Sequence, residues 1–191
     1  MINHSKSVRL GVKKSIMIVD MPYNTYRNPR EALKNVKLVM KKTKCDGVKL
    51  EGGKKIIPIV KNLTKNNIPV MGHVGILPQT DKKFSFKGKK PKEINRILND
   101  TKLLENAGAF SIVLECVEKK LSKQITKNVK IPTIGIGSSS NCDGQVLVID
   151  DLIGMSDSKF KFVKKYVDVS KIINSAVKKY KNEVKNKKFP E

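Results

Sequence analysis

Gly47-Val48-Lys49-Leu50-Glu51-Gly52-Gly53 is a short apolar run that ends in a carboxylate and two glycines. Four other apolar runs end in the same way, with polar side chains or glycines directly after residues 16–19, 68–71, 110–114 and 131–136. Helical patterns separate these runs, and short apolar strands that alternate with helices are typical of a parallel α/β sheet. The carboxyl ends of parallel strands share one edge, where ligands bind. Five side chains are therefore expected to meet there although they are far apart in sequence: Asp20, Lys49, Glu51, His73 and Glu115.

The spacing of apolar residues also predicts the connecting helices and one further strand. Helices are expected over residues 7–14, 29–42, 56–66, 91–107 and 117–128, with one or two terminal helices over 160–185 and a sixth strand over 145–149. Six strands joined by helices leave two architectures open, an open doubly wound sheet and a (β/α)8 barrel without its first two βα units. Periodicity alone does not distinguish them. We expect a single domain over residues 1–191, with residues 158–191 as its C-terminal helices.

The net charge of +23 is the most extreme property of the composition. It comes mainly from lysines spread over predicted helices and loops, whereas the chain has four arginines and 5% aromatic residues. This composition argues against base readout and stacking platforms, so no specific nucleic-acid partner is expected. The positive field favours an anionic substrate instead.

Apolar runs and cysteines bear on the compartment. Every apolar run is shorter than the ~18–20 residues that a membrane span needs, so no membrane association is expected. The three cysteines (Cys45, Cys116 and Cys142) are never spaced as C-x-x-C. Free thiols in a reducing cytosol are the simplest interpretation, and a cytoplasmic location is expected.

Six local sequences occur in a fixed order along the chain. They are residues 20–23 (Asp-Met-Pro-Tyr), 48–53, 71–79, 113–116 (Val-Leu-Glu-Cys), 132–137 and 142–148. Together they resemble the ketopantoate hydroxymethyltransferase family over essentially the whole chain. The resemblance implies a (β/α)8 barrel of the phosphoenolpyruvate/pyruvate type, usually a homodecamer, that uses Mg²⁺. It also implies transfer of a hydroxymethyl group from 5,10-methylenetetrahydrofolate to 3-methyl-2-oxobutanoate, which gives 2-dehydropantoate in pantothenate synthesis.

The resemblance assigns a role to each of the five side chains. It implies that Asp20 and Glu51 hold Mg²⁺, that Asp20, Lys49 and His73 bind the keto acid, and that Glu115 is the general base. The chemistry suits these residue types, because a 2-oxo acid can chelate one hard cation and the metal then stabilises the enolate. From the residues alone other roles stay open: a turn residue for Asp20, a structural ion pair for Lys49 with Glu51, a hydrogen-bonded core histidine for His73, and a salt-bridged strand end for Glu115.

The chain departs from the family pattern at its amino-terminal side. The family carries a G-D-S motif before the D-M-P strand, and nothing before Asp20 matches it. We therefore hypothesise an amino-terminally incomplete form, in which the missing metal carboxylate impairs activity. A smaller departure is Ser138-Ser139, which stands where the family usually has alanine and glycine.

Two other functions compete with this assignment. One is a related Mg²⁺-dependent barrel lyase that forms an enolate from another 2-oxo acid. The other is a non-catalytic basic binding protein built on a decayed enzyme.

Overall fold

The computed structural model describes residues 1–158 and 160–190. Six strands form one sheet: β1 Ile18–Asp20, β2 Gly47–Glu51, β3 Val70–Gly75, β4 Ser111–Glu115, β5 Thr133–Ile136 and β6 Gly144–Gln145. All neighbouring pairs are parallel, and the spatial order of the strands is their order in sequence. An open doubly wound sheet reverses its strand order at a switch point, whereas a (β/α)8 barrel keeps it sequential. The barrel prediction is therefore confirmed, with six parallel strands in barrel order, and the doubly wound alternative is wrong.

Seven helices accompany the strands in the described ranges. They are α1 Ile2–Gly11, α2 Pro29–Thr43, α3 Ile57–Lys65 after a 3₁₀ turn at Lys54–Ile56, α4 Pro91–Asn106, α5 Lys119–Asn128, α6 Ile149–Leu152 and α7 Val169–Lys185. The predictions for α2, α3, α4 and α5 are confirmed to within one or two residues. The predicted terminal helix is shorter than expected, since residues 160–168 are not helical.

The predicted strand over residues 145–149 is wrong beyond Gln145. β6 pairs with β5 through Ile134–Gly144 and Gly135–Gln145, and β5 ends at Ile136. Residues 146–148 have no regular secondary structure, and Ile149 begins α6. An apolar run alone does not reveal where its partner strand ends.

The alternation of side chains along the strands separates the core from the site. Val48, Leu50, Ile112 and Leu114 are fully buried members of the core that packs against the helices. Gly72 lies in the same layer, where an added Cβ would come within 2.9 Å of Leu104 Cδ1. Residues of the opposite parity in β2, β3 and β4 point to the other face of the sheet. That face carries the polar side chains predicted to act together.

The chain divides into two compact units, Met1–Gln145 and Val146–Glu191. The first contains the whole sheet, and the second contains α6 and α7. In the second unit, α7 begins at Val169 and is capped by Asp168, whose side chain accepts a hydrogen bond from Lys171 N–H. The assignment of residues 1–191 to one domain stays a prediction.

Two structural features concern membrane spans and cysteines. No helix in the described part of the chain is long and apolar enough to cross a membrane. All three cysteines are buried free thiols.

Candidate active site

The five predicted side chains lie at the carboxyl ends of four adjacent strands. Asp20 ends β1, Lys49 and Glu51 are on β2, His73 is on β3 and Glu115 ends β4. The strand register pairs Asp20 with Lys49 and Glu51 with His73, which brings residues from distant parts of the sequence together.

Lys49 connects two of its neighbours. Its Nζ lies 3.0 Å from Oδ2 of Asp20 and 3.2 Å from Nδ1 of His73. The lysine side chain is 15% exposed, whereas Asp20 is half exposed. Lys49 is thus an ammonium group at the edge of solvent, fixed from two sides.

His73 is buried completely, with 0% of its side chain exposed. Its Nε2 lies 3.2 Å from Oε2 of Glu115, but the two groups are not aligned for a hydrogen bond. Nε2 has no hydrogen-bond partner within the described ranges. Oε1 of Glu51 lies further away, 4.0 Å from Nδ1. A buried imidazole N–H without a hydrogen-bond partner lowers the stability of the folded state. The position of Nε2 close to Glu115 therefore needs an explanation.

Glu51 is held by a loop that sequence reasoning did not assign to the site. Its Oε2 accepts a 3.0 Å hydrogen bond from the backbone N–H of Gln79. The Gln79 side chain donates to the carbonyl of Met21 at 2.9 Å and accepts from the Tyr26 hydroxyl at 2.7 Å. The loops after β1 and β3 are therefore linked around this carboxylate. Met21 and Gln79 lie within the family motifs at residues 20–23 and 71–79, but the motifs alone do not show that the two residues contact each other.

Burial raises the pKa of the Tyr26 phenol above its ordinary value. A hydrogen bond with the Glu51 backbone lowers the pKa in part, and the negative charges of Glu51 and Asp20 raise it further.

Glu115 is fixed through the backbone on either side of it. Its side chain is 18% exposed, and Cys116 follows in a left-handed conformation with φ of +50°. The Ser138 hydroxyl donates to the Leu114 carbonyl at 2.7 Å and accepts from Val117 N–H at 3.0 Å, so it spans the turn. Burial and the charge of Glu115 raise the pKa of the Cys116 thiol to about 12. Cys116 is thus a protonated thiol and not a nucleophile at neutral pH.

The carboxylates of Asp20 and Glu51 fit Mg²⁺ if oxygens of a bound substrate complete the metal's coordination shell. No group of three His, Cys, Asp or Glu side chains that could hold a metal occurs within the described ranges. Magnesium commonly takes one or two carboxylates and completes its shell with water and substrate oxygens. Asp20 and Glu51 provide such a pair at neighbouring strand ends, each with one oxygen already held by Lys49 or Gln79.

A cavity of about 900 Å³ opens beside Glu51. Of the five predicted site residues, only Glu51 lines it. Aromatic and cationic side chains form much of its wall: Tyr23, Tyr26, Arg27, Lys54, Lys55 and Arg96. The cavity therefore offers room for a second molecule next to Glu51.

Known proteins resemble this chain along its whole length. The sequence pattern of the ketopantoate hydroxymethyltransferase family matches residues 1–191. The 3-methyl-2-oxobutanoate hydroxymethyltransferase of Pelagibacter ubique (strain HTCC1062) is 64% identical over 190 residues, which cover 100% of this chain and 74% of that protein. The enzyme of the same name from Chlorobaculum tepidum is 44% identical over 199 residues, covering 100% of this chain and 72% of that protein.

A solved structure with little sequence similarity shares the fold. The carboxyl transferase domain from Rhizobium etli pyruvate carboxylase, solved with 3-bromopyruvate, matches with a TM-score of 0.51 and 16% identity. The match covers 70% of this chain and 24% of that one, and it bears on the barrel architecture alone.

The relatives favour a transferase over the lyase alternative, since both are named hydroxymethyltransferases. The family pattern covers all 191 residues and the two relatives align along the whole chain. The chain therefore belongs to the ketopantoate hydroxymethyltransferase family of enzymes.

Proposed function

We propose that this site transfers a hydroxymethyl group from 5,10-methylenetetrahydrofolate to 3-methyl-2-oxobutanoate and forms 2-dehydropantoate. The observation that carries the proposal is the continuous set of contacts Asp20–Lys49–His73–Glu115 at the ends of four parallel strands. These contacts support the proposal because an ammonium group suited to a carboxylate substrate and a carboxylate suited to act as a base lie within one small region.

Lys49 is the proposed partner of the keto acid's carboxylate. Its ammonium is largely buried and already oriented by Asp20 and His73, so little side-chain entropy is lost when the substrate binds. Asp20 and Glu51 would hold Mg²⁺, which supplies Lewis-acid polarisation of the ketone when it is bound.

Glu115 is the proposed general base. Its carboxylate is mostly shielded from water, and the two hydrogen bonds of the Ser138 hydroxyl fix the turn next to it. The proton on C3 of the keto acid would pass to this carboxylate, and the electron pair of the broken C–H bond would form the enolate. Hydrolysis of the two C–N bonds of the donor's methylene bridge by one water would release tetrahydrofolate and a formaldehyde-level carbon. The enolate carbon would form the new carbon–carbon bond with that carbon, and the resulting alkoxide would take up the proton removed from C3 to become the hydroxyl group.

The cavity beside Glu51 is the proposed place of the folate donor. Tyrosine faces can stack on a planar pteridine ring, and cations can pair with glutamyl carboxylates. Tyr23, Tyr26, Lys54 and Lys55 are in its wall, and Glu51 joins it to the carboxylate cluster. The proposal also includes a cytoplasmic location, which suits three buried free thiols, and a homo-oligomer.

Isotope exchange tests the chemical step without the folate donor. In D₂O with Mg²⁺, we expect the protein to replace the C3 proton of 3-methyl-2-oxobutanoate with deuterium. NMR measures this exchange. Glu115→Gln should slow this exchange by about 100-fold or more while keto-acid binding in calorimetry changes little. Addition of 5,10-methylenetetrahydrofolate should then give 2-dehydropantoate with the unmodified chain only.

Two results would contradict the proposal. Exchange that persists in Glu115→Gln would remove Glu115 from the base role. Absence of both exchange and keto-acid binding in the unmodified chain would overturn the function for this chain.

A further inference from the structure

We propose that His73 is a positioning residue, held as a neutral imidazole with its proton on Nε2, that fixes Lys49 on one side and selects the reactive oxygen of Glu115 on the other. The proposal rests on the proposed function only for what Lys49 and Glu115 do. It assigns to His73 an indirect role in place of substrate contact, because the side chain has no exposed surface.

The contact with Lys49 determines which ring nitrogen carries the proton. An ammonium group has three donors and no acceptor, so a nitrogen 3.2 Å from it must offer a lone pair. Asp20 Oδ2, at 3.0 Å, pairs with the same ammonium group. Nδ1 of His73 is therefore the acceptor, and the neutral ring carries its proton on Nε2.

The protonated Nε2 faces Glu115. The Nε2–Oε2 separation of 3.2 Å is within hydrogen-bond distance, and only the angle prevents a hydrogen bond. Alignment would come from rotation of the Glu115 carboxylate, whose side chain is 18% exposed, because the His73 side chain is fully buried. Since an unpaired buried N–H is unfavourable, the aligned arrangement is the one expected when a substrate fills the site.

This geometry distinguishes the two oxygens of the base. In the aligned arrangement Oε2 accepts the histidine N–H, and Oε1, which has no hydrogen bond to any described residue, remains for the C3 proton. Glu51 is the other carboxylate near the ring, but at 4.0 Å from Nδ1 it is too distant for a hydrogen bond. His73 thus links the substrate-binding cation to the base through two contacts with opposite roles.

Two amide substitutions separate these contacts. Glutamine can place its side-chain nitrogen near the position of Nε2, and asparagine can place its oxygen near Nδ1. His73→Gln keeps a donor for Glu115 and loses the acceptor for Lys49. His73→Asn keeps the acceptor and loses the donor.

The expected results differ between the two variants. His73→Asn should retain keto-acid affinity while C3 exchange falls by about 10- to 100-fold, the effect of one hydrogen bond to a charged group. The His73→Gln variant should exchange the C3 proton faster than the His73→Asn variant. It should bind the keto acid more weakly than the His73→Asn variant binds it. Parallel losses of affinity and exchange in both variants, at unchanged melting temperature, would overturn the proposal. So would the absence of any loss in either variant.

The tautomer itself can be measured without catalysis. The chain has two histidines, and the other, His4, is exposed. In ¹⁵N NMR of the imidazole rings, with His4→Gln used to assign the signals, His73 should show an unprotonated Nδ1 and a protonated Nε2. The opposite tautomer or a doubly protonated ring would overturn the inference, even if the unmodified chain exchanges the C3 proton normally. If the chain does not exchange but the expected tautomer is seen, the proposed function fails and the assignment of His73 stands.

Discussion

The backbone N–H of Gln79 donates a 3.0 Å hydrogen bond to Oε2 of Glu51. One oxygen of this carboxylate is thereby fixed by the loop after β3, and the other is left for a cation or a substrate. The Gln79 side chain in turn connects the Met21 carbonyl and the Tyr26 hydroxyl. Orientation of Glu51 therefore depends on a loop-to-loop network and not on its own strand alone.

Removal of the Tyr26 hydroxyl tests this network. Tyr26→Phe should lower the free energy of unfolding by about 1 kcal/mol, because the hydrogen bond to Gln79 Oε1 is lost in a partly buried place. It should also weaken Mg²⁺-dependent keto-acid binding, since Gln79 is then less well fixed. Chemical denaturation and calorimetry measure the two effects.

Tyr23→Phe is the matched control for this change. Tyr23 lines the same cavity, is 58% exposed and has no hydrogen bond to another described residue through its hydroxyl. If both substitutions have the same effect on stability and binding, the network around Gln79 does not orient Glu51.

The sequence predicted where the site lies in the fold, but it did not predict which of the site's side chains contact each other. Alternation along β2 puts Lys49 and Glu51 on one face, and parallel strands bring Asp20, His73 and Glu115 to the same edge, so this part follows from periodicity. That Lys49 contacts His73 as well as Asp20 depends on side-chain conformations, which periodicity does not encode.

Loop geometry explains the residues that sequence reasoning missed. Gln79 acts through its backbone N–H as well as its side chain, and a backbone donor has no signature in residue type. Ser138 was noted only as a departure from the family pattern, yet its hydroxyl holds the turn beside Glu115. Both roles come from how loops approach strand ends, which is a tertiary property.

Substitution of Ser138 tests whether this turn positions the base. Ser138→Ala removes one hydrogen bond to the Leu114 carbonyl and one from Val117 N–H. We expect the free energy of unfolding to fall by about 1–2 kcal/mol, since two partly buried backbone groups lose their partner. C3 exchange should slow while keto-acid affinity is retained, because Glu115 is displaced and Lys49 is not.

Ser140→Ala serves as the control for the serine substitution. Ser140 is exposed and its side chain has no hydrogen bond to the described residues. Exchange that is unchanged in Ser138→Ala, despite a measurable loss of stability, would show that the turn does not control the position of Glu115.

Two lysines test the proposed donor cavity. Lys54 and Lys55 line it next to Glu51, and neither forms a salt bridge within the described residues. The double variant Lys54→Gln/Lys55→Gln should raise the KM for 5,10-methylenetetrahydrofolate by about 5- to 10-fold, because two cations near its carboxylates are lost. Exchange at C3 without the donor should be unaffected.

Net charge is matched by a second double variant, Lys119→Gln/Lys120→Gln. These lysines are exposed at the start of α5 and do not line the cavity. An equal rise in donor KM in both double variants would assign the effect to the overall field of a chain with net charge +23 and not to the cavity.

Asp143 gives a prediction about stability and pH. Its Oδ2 accepts hydrogen bonds from the Thr133 backbone N–H at 2.8 Å and from the Thr133 hydroxyl at 2.9 Å, which joins the residue before β6 to the first residue of β5. These hydrogen bonds hold the pKa of Asp143 below its ordinary value. A carboxyl group with a depressed pKa in the folded state stabilises the protein above its unfolded pKa, and this contribution is lost as pH falls through the folded pKa.

Asp143→Asn should therefore lower the melting temperature at pH 7, and the difference from the unmodified chain should shrink as the solution is made more acidic than about pH 4. Asp157→Asn removes the same charge from an exposed position whose side chain has no hydrogen bond or salt bridge to the described residues, and it should have little effect at either pH. Melting curves for the three proteins between neutral and acidic pH provide the measurement. A difference for Asp143→Asn that stays constant across this range would mean that the hydrogen bonds to Thr133 do not favour the ionised carboxylate, because only a shifted pKa makes their contribution depend on pH.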